Sequence, residues 1–430
     1  MLERLFHLKE NHTDGRTEVV AGLTTFMTMA YIIFVNPQIL SVAGIPSKAT
    51  IAATCLAAAV PTIVMGLYTN YPFALASGMG LNAALAYLAI GQHITWQTAM
   101  AVIFMEGLII TVLVLTRVRE SVMSAIPLSQ KRAIGVGIGL LIAYLGMQHA
   151  GWVVRPSGPG PLTTFGSFQD KTAIVAGIGL LITLVLMARR MHGAILLGIV
   201  LTTGIAWAAG LARAPEALVG PPDFRTFAAL DLRGALKVSL IAPIFAFLMT
   251  DFFDTMGTVI GVGGQAGFVS KEGRLPRLNR VLLVDSLAAV WGSICGASSV
   301  TTYVESAAGV GAGGRTGLTS VVAGALFLLA LFFSPVISIV PAAATAPALI
   351  VVGFLMLALI REIPFDKFDE AFPAFLTILV IPLTLSISRG IGYGFIAYTL
   401  LGVVTGKWRE THPVMYVLSV IFAVSFVIGS

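Results

Sequence analysis

The chain has 430 residues, 57% of them hydrophobic and 11% charged, with a formal net charge of +6 and a mean hydropathy of +0.93. Soluble domains carry about 25% charged residues, so a water-exposed surface of ordinary composition is excluded. The 26 basic residues are scattered among short loops, which speaks for membrane orientation and against nucleic-acid binding.

Met1–Arg16 is polar and lacks the apolar h-region of a cleaved signal peptide. Apolar runs long enough to cross a hydrocarbon core of about 30 Å then recur to the end of the chain. They lie near 17–38, 49–69, 73–91, 95–116, 133–150, 172–188, 192–211, 238–261, 279–297, 300–314, 317–339, 346–360, 371–387, 389–406 and 413–429. That makes fourteen or fifteen segments, and the topology of the last is open. Helices are the expected spanning form, because backbone groups in lipid need internal partners. The connections 151–171, 212–237 and 262–278 read as loops, with Leu230–Val238 along the interface. With a cytoplasmic N-terminus, the loops on the inside carry 18 of the 26 basic residues, which favours that orientation in the cell (inner) membrane. Cys55 and Cys295 sit inside apolar runs and read as small packing residues.

A shift of 223 residues lays Thr28 on Asp251 and Asn82 on Glu305, and carries seven segments onto seven. An odd number per half inverts the second half relative to the first, as in many carriers. In each half the third segment is short and glycine-interrupted: Ala74–Tyr87 and Thr301–Gly317. Gly309, Gly311, Gly313, Gly314 and Gly317 do not suit an ordinary spanning helix. Broken helices at membrane depth are tolerated where they line a cavity or are buried in protein, and matched broken segments point to a substrate site. Close packing of helices through small residues is the alternative.

Ionisable groups within the spans are Glu106, Asp251, Asp254, Asp285 and Glu305. Each costs about 2.5–3.5 kcal/mol at the bilayer centre unless partnered. Asp251 and Asp254 are three residues apart and share a helix face; with Glu305 and Asn82 they are the site candidates. Glu106 and Asp285 read as structural, bonded to nearby backbone or hydroxyls. The six histidines fall in termini or at segment ends, so a transmembrane proton must travel on carboxylates. No Lys or Arg lies within the central spans, against an anionic substrate. Carboxylate and amide together suit a flat heterocycle with donor and acceptor edges. Phe73, Phe252 and Phe253 could stack on its ring, although lipid or core packing is the ordinary fate of a phenylalanine.

The strings GMGLNAALAY, TDFFDTMGT and TTYVESAAGVGAGGRTGLTS, with the opening EVVAGLTTFMTMAYIIFVNP, resemble the adenine/guanine/hypoxanthine branch of the xanthine–uracil permease family over nearly the whole chain. The resemblance implies an all-α membrane protein of fourteen segments in two inverted repeats of seven. It implies a core domain (1–118 and 238–340), a gate domain (119–237 and 341–430), and segments 3 and 10 built from a short extended stretch and a half-helix. By position, substrate binding falls to Asn82, Asp251 and Glu305, with Asp254 near and influencing specificity. Ser306, Thr28 and Phe73 complete the candidate set, and Asp251, Glu305 and Asp254 are the proton-coupling candidates. The branch favours a purine over a pyrimidine. Expected partners are a purine nucleobase, the bilayer and a second copy in a homodimer, with a proton as coupling ion and no cofactor or metal. Sodium coupling, a pyrimidine or xanthine carrier, and an anion exchanger of the same fold are the rivals within transport. An intramembrane aspartate enzyme is the rival outside it, weakened because both aspartates share one helix without a Gly-x-Gly-Asp signature.

Overall fold

Backbone N–H and C=O groups in lipid have no partners except one another. In the computed structural model, which describes residues 2–116, 126–154, 163–212, 215, 217–268 and 275–428, they pair almost wholly within helices. The first half runs α1 (Gly15–Met29), α2 (Ile32–Ser41), α3 (Ser47–Thr69), β1 (Leu75–Ser77), α4 (Met79–Gly91), α5 (Trp96–Leu115), α6 (Leu128–His149), α7 (Lys171–Ala188) and α8 (Ala194–Ala208). The second half runs α9 (Ile241–Gln265), α10 (Leu278–Cys295), β2 (Val300–Thr302), α11 (Ser306–Gly311), α12 (Gly317–Ala330), α13 (Ala342–Met356), α14 (Phe368–Thr384) and α15 (Ile387–Val404), with α16 (Pro413–Ile428) beyond it. Nine helical stretches among the described residues are long and apolar enough to cross a membrane. The basic loops expected at 117–132 and 271–280 fall partly outside the described residues. Within 212–237, a short helix at Leu232–Ala235 is flanked by exposed Leu232, Leu236 and Val238, in keeping with an interfacial position.

Packing repeats between the halves. α3 lies on α12 as α10 lies on α5, and α1 meets α12 as α9 meets α5. α7 packs on α13 as α14 packs on α6, while α6 and α13 pack on each other. β1 and β2, the extended stretches of the two glycine-broken segments, pair antiparallel, with Leu75 opposite Thr302 and Ser77 opposite Val300. Equivalent strands that run antiparallel are what an inverted repeat requires. α16 stands outside this exchange and packs on α15 and α9, with Phe422 edge-on to Phe395 and Phe245.

Four of the five glycines in 309–317 have a packing or turn reason, Gly309 and Gly314 through close approach to α1. A Cβ on Gly317 would collide with the Gly66 carbonyl where α12 crosses α3, and Gly313 has φ +103° in the turn between α11 and α12. The break at 312–316 is nonetheless real, because α12 starts afresh at Thr316, whose hydroxyl accepts the Leu318 N–H. An acid from elsewhere supports this start: Glu18 accepts the N–H groups of Arg315, Thr316 and Thr319 and the Thr319 hydroxyl. The start of α5 is built alike. Thr95 caps it, and Asp231 accepts from the Thr98 hydroxyl at 2.8 Å.

Candidate functional site

The antiparallel β1–β2 pair sets α4 and α11 off from the interior, one from each half, with their N-termini beside the strands. Side chains lock the crossing. The Ser306 hydroxyl accepts the Ala74 N–H at 2.9 Å, and Tyr303 donates to the Ser77 carbonyl at 2.5 Å. Asp285 accepts from the Thr302 N–H (2.9 Å), the Thr302 hydroxyl (2.8 Å) and the Thr255 hydroxyl (2.5 Å). It ties β2 to α9, the structural role that its sequence position suggests. Ser306 is likewise fully buried in the crossing.

Asn82, one turn into α4, is fully buried. Its amide N–H donates to the Asn36 carbonyl oxygen at 2.6 Å, and Asn36 in turn donates to the Thr54 hydroxyl and the Ala297 carbonyl. Its own side-chain oxygen has no donor among the described residues. Glu305 occupies the equivalent place in the second half, at the start of α11. It is only partly buried and accepts from the Tyr31 hydroxyl at 2.5 Å. Tyr31 stands at the break between α1 and α2.

Asp251 and Asp254 share α9 but not surroundings. Asp254 is exposed although it sits near the middle of a 25-residue helix, and the charges of Asp285 and Glu305 act on it. Farther along the same helix Gly261, Gly264 and Gln265 are also exposed. A face carrying an aspartate and a glutamine is costly against lipid, so the exposed stretch from Asp254 toward Gln265 suits contact with water and not with hydrocarbon. In its other half α9 packs on α4 and α15, and buried Ala246, Phe247 and Thr250 line a small cavity with Ala84 and Leu88 of α4 and Ser386–Ser388 at the start of α15.

Asp251, 1% exposed, lies on the far side of this face. Its carboxyl group is within hydrogen-bonding reach of that of Glu106 on α5, itself 0% exposed. None of their four oxygens has a donor among the described residues. Glu106 thus departs from its sequence reading: it bonds no backbone or hydroxyl group, and it faces another acid 145 positions away. Among the described residues no basic side chain pairs with Glu106, Asp251, Asp254 or Glu305.

Thr28 spends its hydroxyl on the Thr24 and Thr25 carbonyls, at 3.0 and 2.9 Å. Phe73 is fully buried against Tyr71, ring centroids 5.3 Å apart, and Phe252 is 2% exposed. Core packing is the fate of both, and the side chain of Phe253 lies outside the described residues. Tyr31, Asn36 and Glu18 were not singled out by sequence. All three are polar groups within or at the edge of the apolar run that opens the chain, and counting every polar residue there, not only central acids, would have found them.

Residues 16–393 match the Permease family, Xan_ur_permease. The chain is 41% identical over 429 residues to the adenine permease AdeP of Escherichia coli (strain K12), covering 99% of this chain and 96% of that protein. It is 42% identical over 440 residues to the guanine/hypoxanthine permease PbuG of Bacillus subtilis (strain 168), covering 99% of each. The transmembrane domain of the cyanobacterium bicarbonate transporter BicA has the same fold, with a TM-score of 0.64 at 14% identity over 87% of this chain and 96% of that one. At such identity the likeness speaks for the fold alone. With a family match over most of the chain, full-length relatives named permeases and an apolar helical architecture, this chain belongs to the Permease family, as a multi-pass membrane permease and not an enzyme.

Proposed function

We propose that this permease takes up purine nucleobases (hypoxanthine, adenine or guanine) by proton-coupled symport and alternating access. The observation that carries the reading is the pair of acids, exposed Asp254 and partly buried Glu305, brought together at the crossing of two broken segments. Relatives named adenine and guanine/hypoxanthine permeases over the same length support the substrate class. A carboxylate accepts two N–H bonds, and the free carbonyl oxygen of Asn82 adds a third acceptor, a set that suits the N–H edge of a neutral base. Five acids stand without a lysine or arginine in the central spans, so the site favours a cation as co-substrate, and a proton can ride on the carboxylates themselves.

In this reading Asp254 and Glu305 meet the base first, and Asp251 lies behind them. The fourteen segments divide into a core, 1–118 with 238–340, and a gate, 119–237 with 341–430. The core would rock against the gate, exposing in turn the side near Gln265 and the side near Phe247 and Ile387. The latter side faces outward if the N-terminus is cytoplasmic, in the cell (inner) membrane. A homodimer through the gate follows the same reading. The test is uptake of labelled hypoxanthine into proteoliposomes, with unlabelled bases as competitors. An inward proton gradient should drive accumulation, a protonophore should abolish it, and replacing sodium should change little. Accumulation that follows a sodium gradient at fixed pH contradicts proton coupling. Competition by uracil but not by adenine, guanine or hypoxanthine contradicts the substrate class.

A further inference from the structure

We propose that Glu106 and Asp251 form a single proton-binding pair behind the open face, and that this pair carries the proton moved with substrate. The proposal rests on the purine-uptake reading and adds Glu106 to it. α5 and α9 pack together, and their two carboxyl groups are buried and facing, with no donor for any of their oxygens among the described residues. Two bare carboxylates so placed would repel in an apolar interior and leave every oxygen unsatisfied. One proton turns one group into an O–H donor and leaves the other an acceptor, so the pair is satisfied with one proton and strained with none. A purely structural glutamate would show a backbone or hydroxyl donor, as Asp285 does with Thr255 and Thr302.

The surroundings favour the same state. The charged groups that act on the pair are Asp285 from α10 and Asp254 from α9, both acids. Asn82 of α4, which also packs on α9, is neutral. Asp254, on the exposed face, is three residues from Asp251, less than one helical turn. A proton taken from water at Asp254 thus has a short path to the pair. Only O–H bonds form and break: the proton leaves the pair to water once the opposite side opens, and the carboxylate it leaves behind is ready for the next.

The experiment uses the full chain in proteoliposomes, as wild type, Glu106→Gln, Glu106→Asp and Asp251→Asn, each with its melting temperature. Steady accumulation of labelled hypoxanthine is measured with and without an inward proton gradient, and two-way exchange of the label normalises for active protein. In Glu106→Gln the gradient should add nothing to accumulation while exchange stays measurable, and Glu106→Asp should recover part of the gradient effect. Infrared difference spectra of the wild type should show a protonated carboxyl band that shifts in heavy water and is lost in both Glu106→Gln and Asp251→Asn. Gradient-driven accumulation by Glu106→Gln at the wild-type ratio to exchange overturns the proposal, as does a carboxyl band indifferent to both substitutions. If Glu106→Gln fails to fold, Asp251→Asn and the wild-type spectrum decide. Should the wild type move no purine, the uptake reading fails by itself, and the infrared band still shows whether the pair holds a proton.

Discussion

Asn82 and Glu305 occupy equivalent places in two segments of the same build, an extended stretch crossing its mate and then a half-helix. Their chemistry differs. Asn82 is fully buried and tied through Asn36 to Thr54 and Ala297, whereas Glu305 is partly open and tied to one hydroxyl, that of Tyr31. The repeat has kept the backbone frame in both halves and placed the charge in one. The amide half bonds the frame through its N–H and keeps its side-chain oxygen without a donor among the described residues, while the charge stands in the other half. The helix starts show the same division: Glu18 at α12 is buried under four donors, and Asp231 at α5 is partly open.

If that division is right, the largest loss of stability should come from Glu18→Ala. It strands the Thr316 N–H in a buried site and leaves Thr319 only its longer bonds, N–H to the Thr316 carbonyl at 3.3 Å and hydroxyl to the backbone carbonyl of residue 18 at 3.4 Å. Each stranded group costs roughly 1–3 kcal/mol, enough to lower the melting temperature of the purified protein markedly. An unchanged melting temperature would mean that α12 does not depend on this acid.

Asn36→Leu should come next. It leaves the Asn82 N–H and the Ala297 carbonyl without their partners, again roughly 1–3 kcal/mol each. The loss should appear in thermal unfolding and should also loosen hypoxanthine binding, since Asn82 would no longer be held. Loss of binding with no loss of stability would place Asn36 in the site itself and not in its support.

Asp231→Ala should have the smallest effect, because Gly234 is partly open to water and the buried Thr98 hydroxyl keeps the Thr95 hydroxyl as a partner at 2.9 Å. The Gly234 N–H, and after it the Thr98 hydroxyl, hold the Asp231 carboxyl below its ordinary value. Its stabilisation is therefore complete above the ordinary aspartate value of about 3.9 and fades as pH falls through the lower folded value. The melting temperatures of wild type and Asp231→Ala should differ at neutral pH and converge in acid. Divergence in acid would reverse the sign of this contribution.

Much of the frame was legible in the sequence. Apolar runs placed the helices to within a few residues, and a shift of 223 with glycine-broken segments set Asn82 beside Glu305 as counterparts. Resemblance supplied the short extended stretches, since three-residue strands leave no period to read. The partnership of Glu106 with Asp251 was not legible, because the insertion cost of a buried acid marks that a partner is needed without saying which helix supplies it. The division of Asp251 from Asp254 was hidden for a related reason. Residues three apart share a helix face broadly, yet here the edge of that face separates a sealed contact from open water. Tyr31 and Asn36 escaped because only ionisable groups were weighed, although a hydroxyl or amide in an apolar run also demands a partner.

The measurement that tests the account most directly is hypoxanthine binding to purified wild type and Glu305→Gln, each with its melting temperature. Gln keeps the volume and can still bond Tyr31, so the fold should survive with little change in melting temperature. It cannot accept two N–H bonds from a base edge, and losing a charge-assisted bond costs about 1.5–3 kcal/mol. Affinity should therefore fall about ten- to a hundredfold. Wild-type affinity in Glu305→Gln would contradict the assignment of the purine site to this crossing.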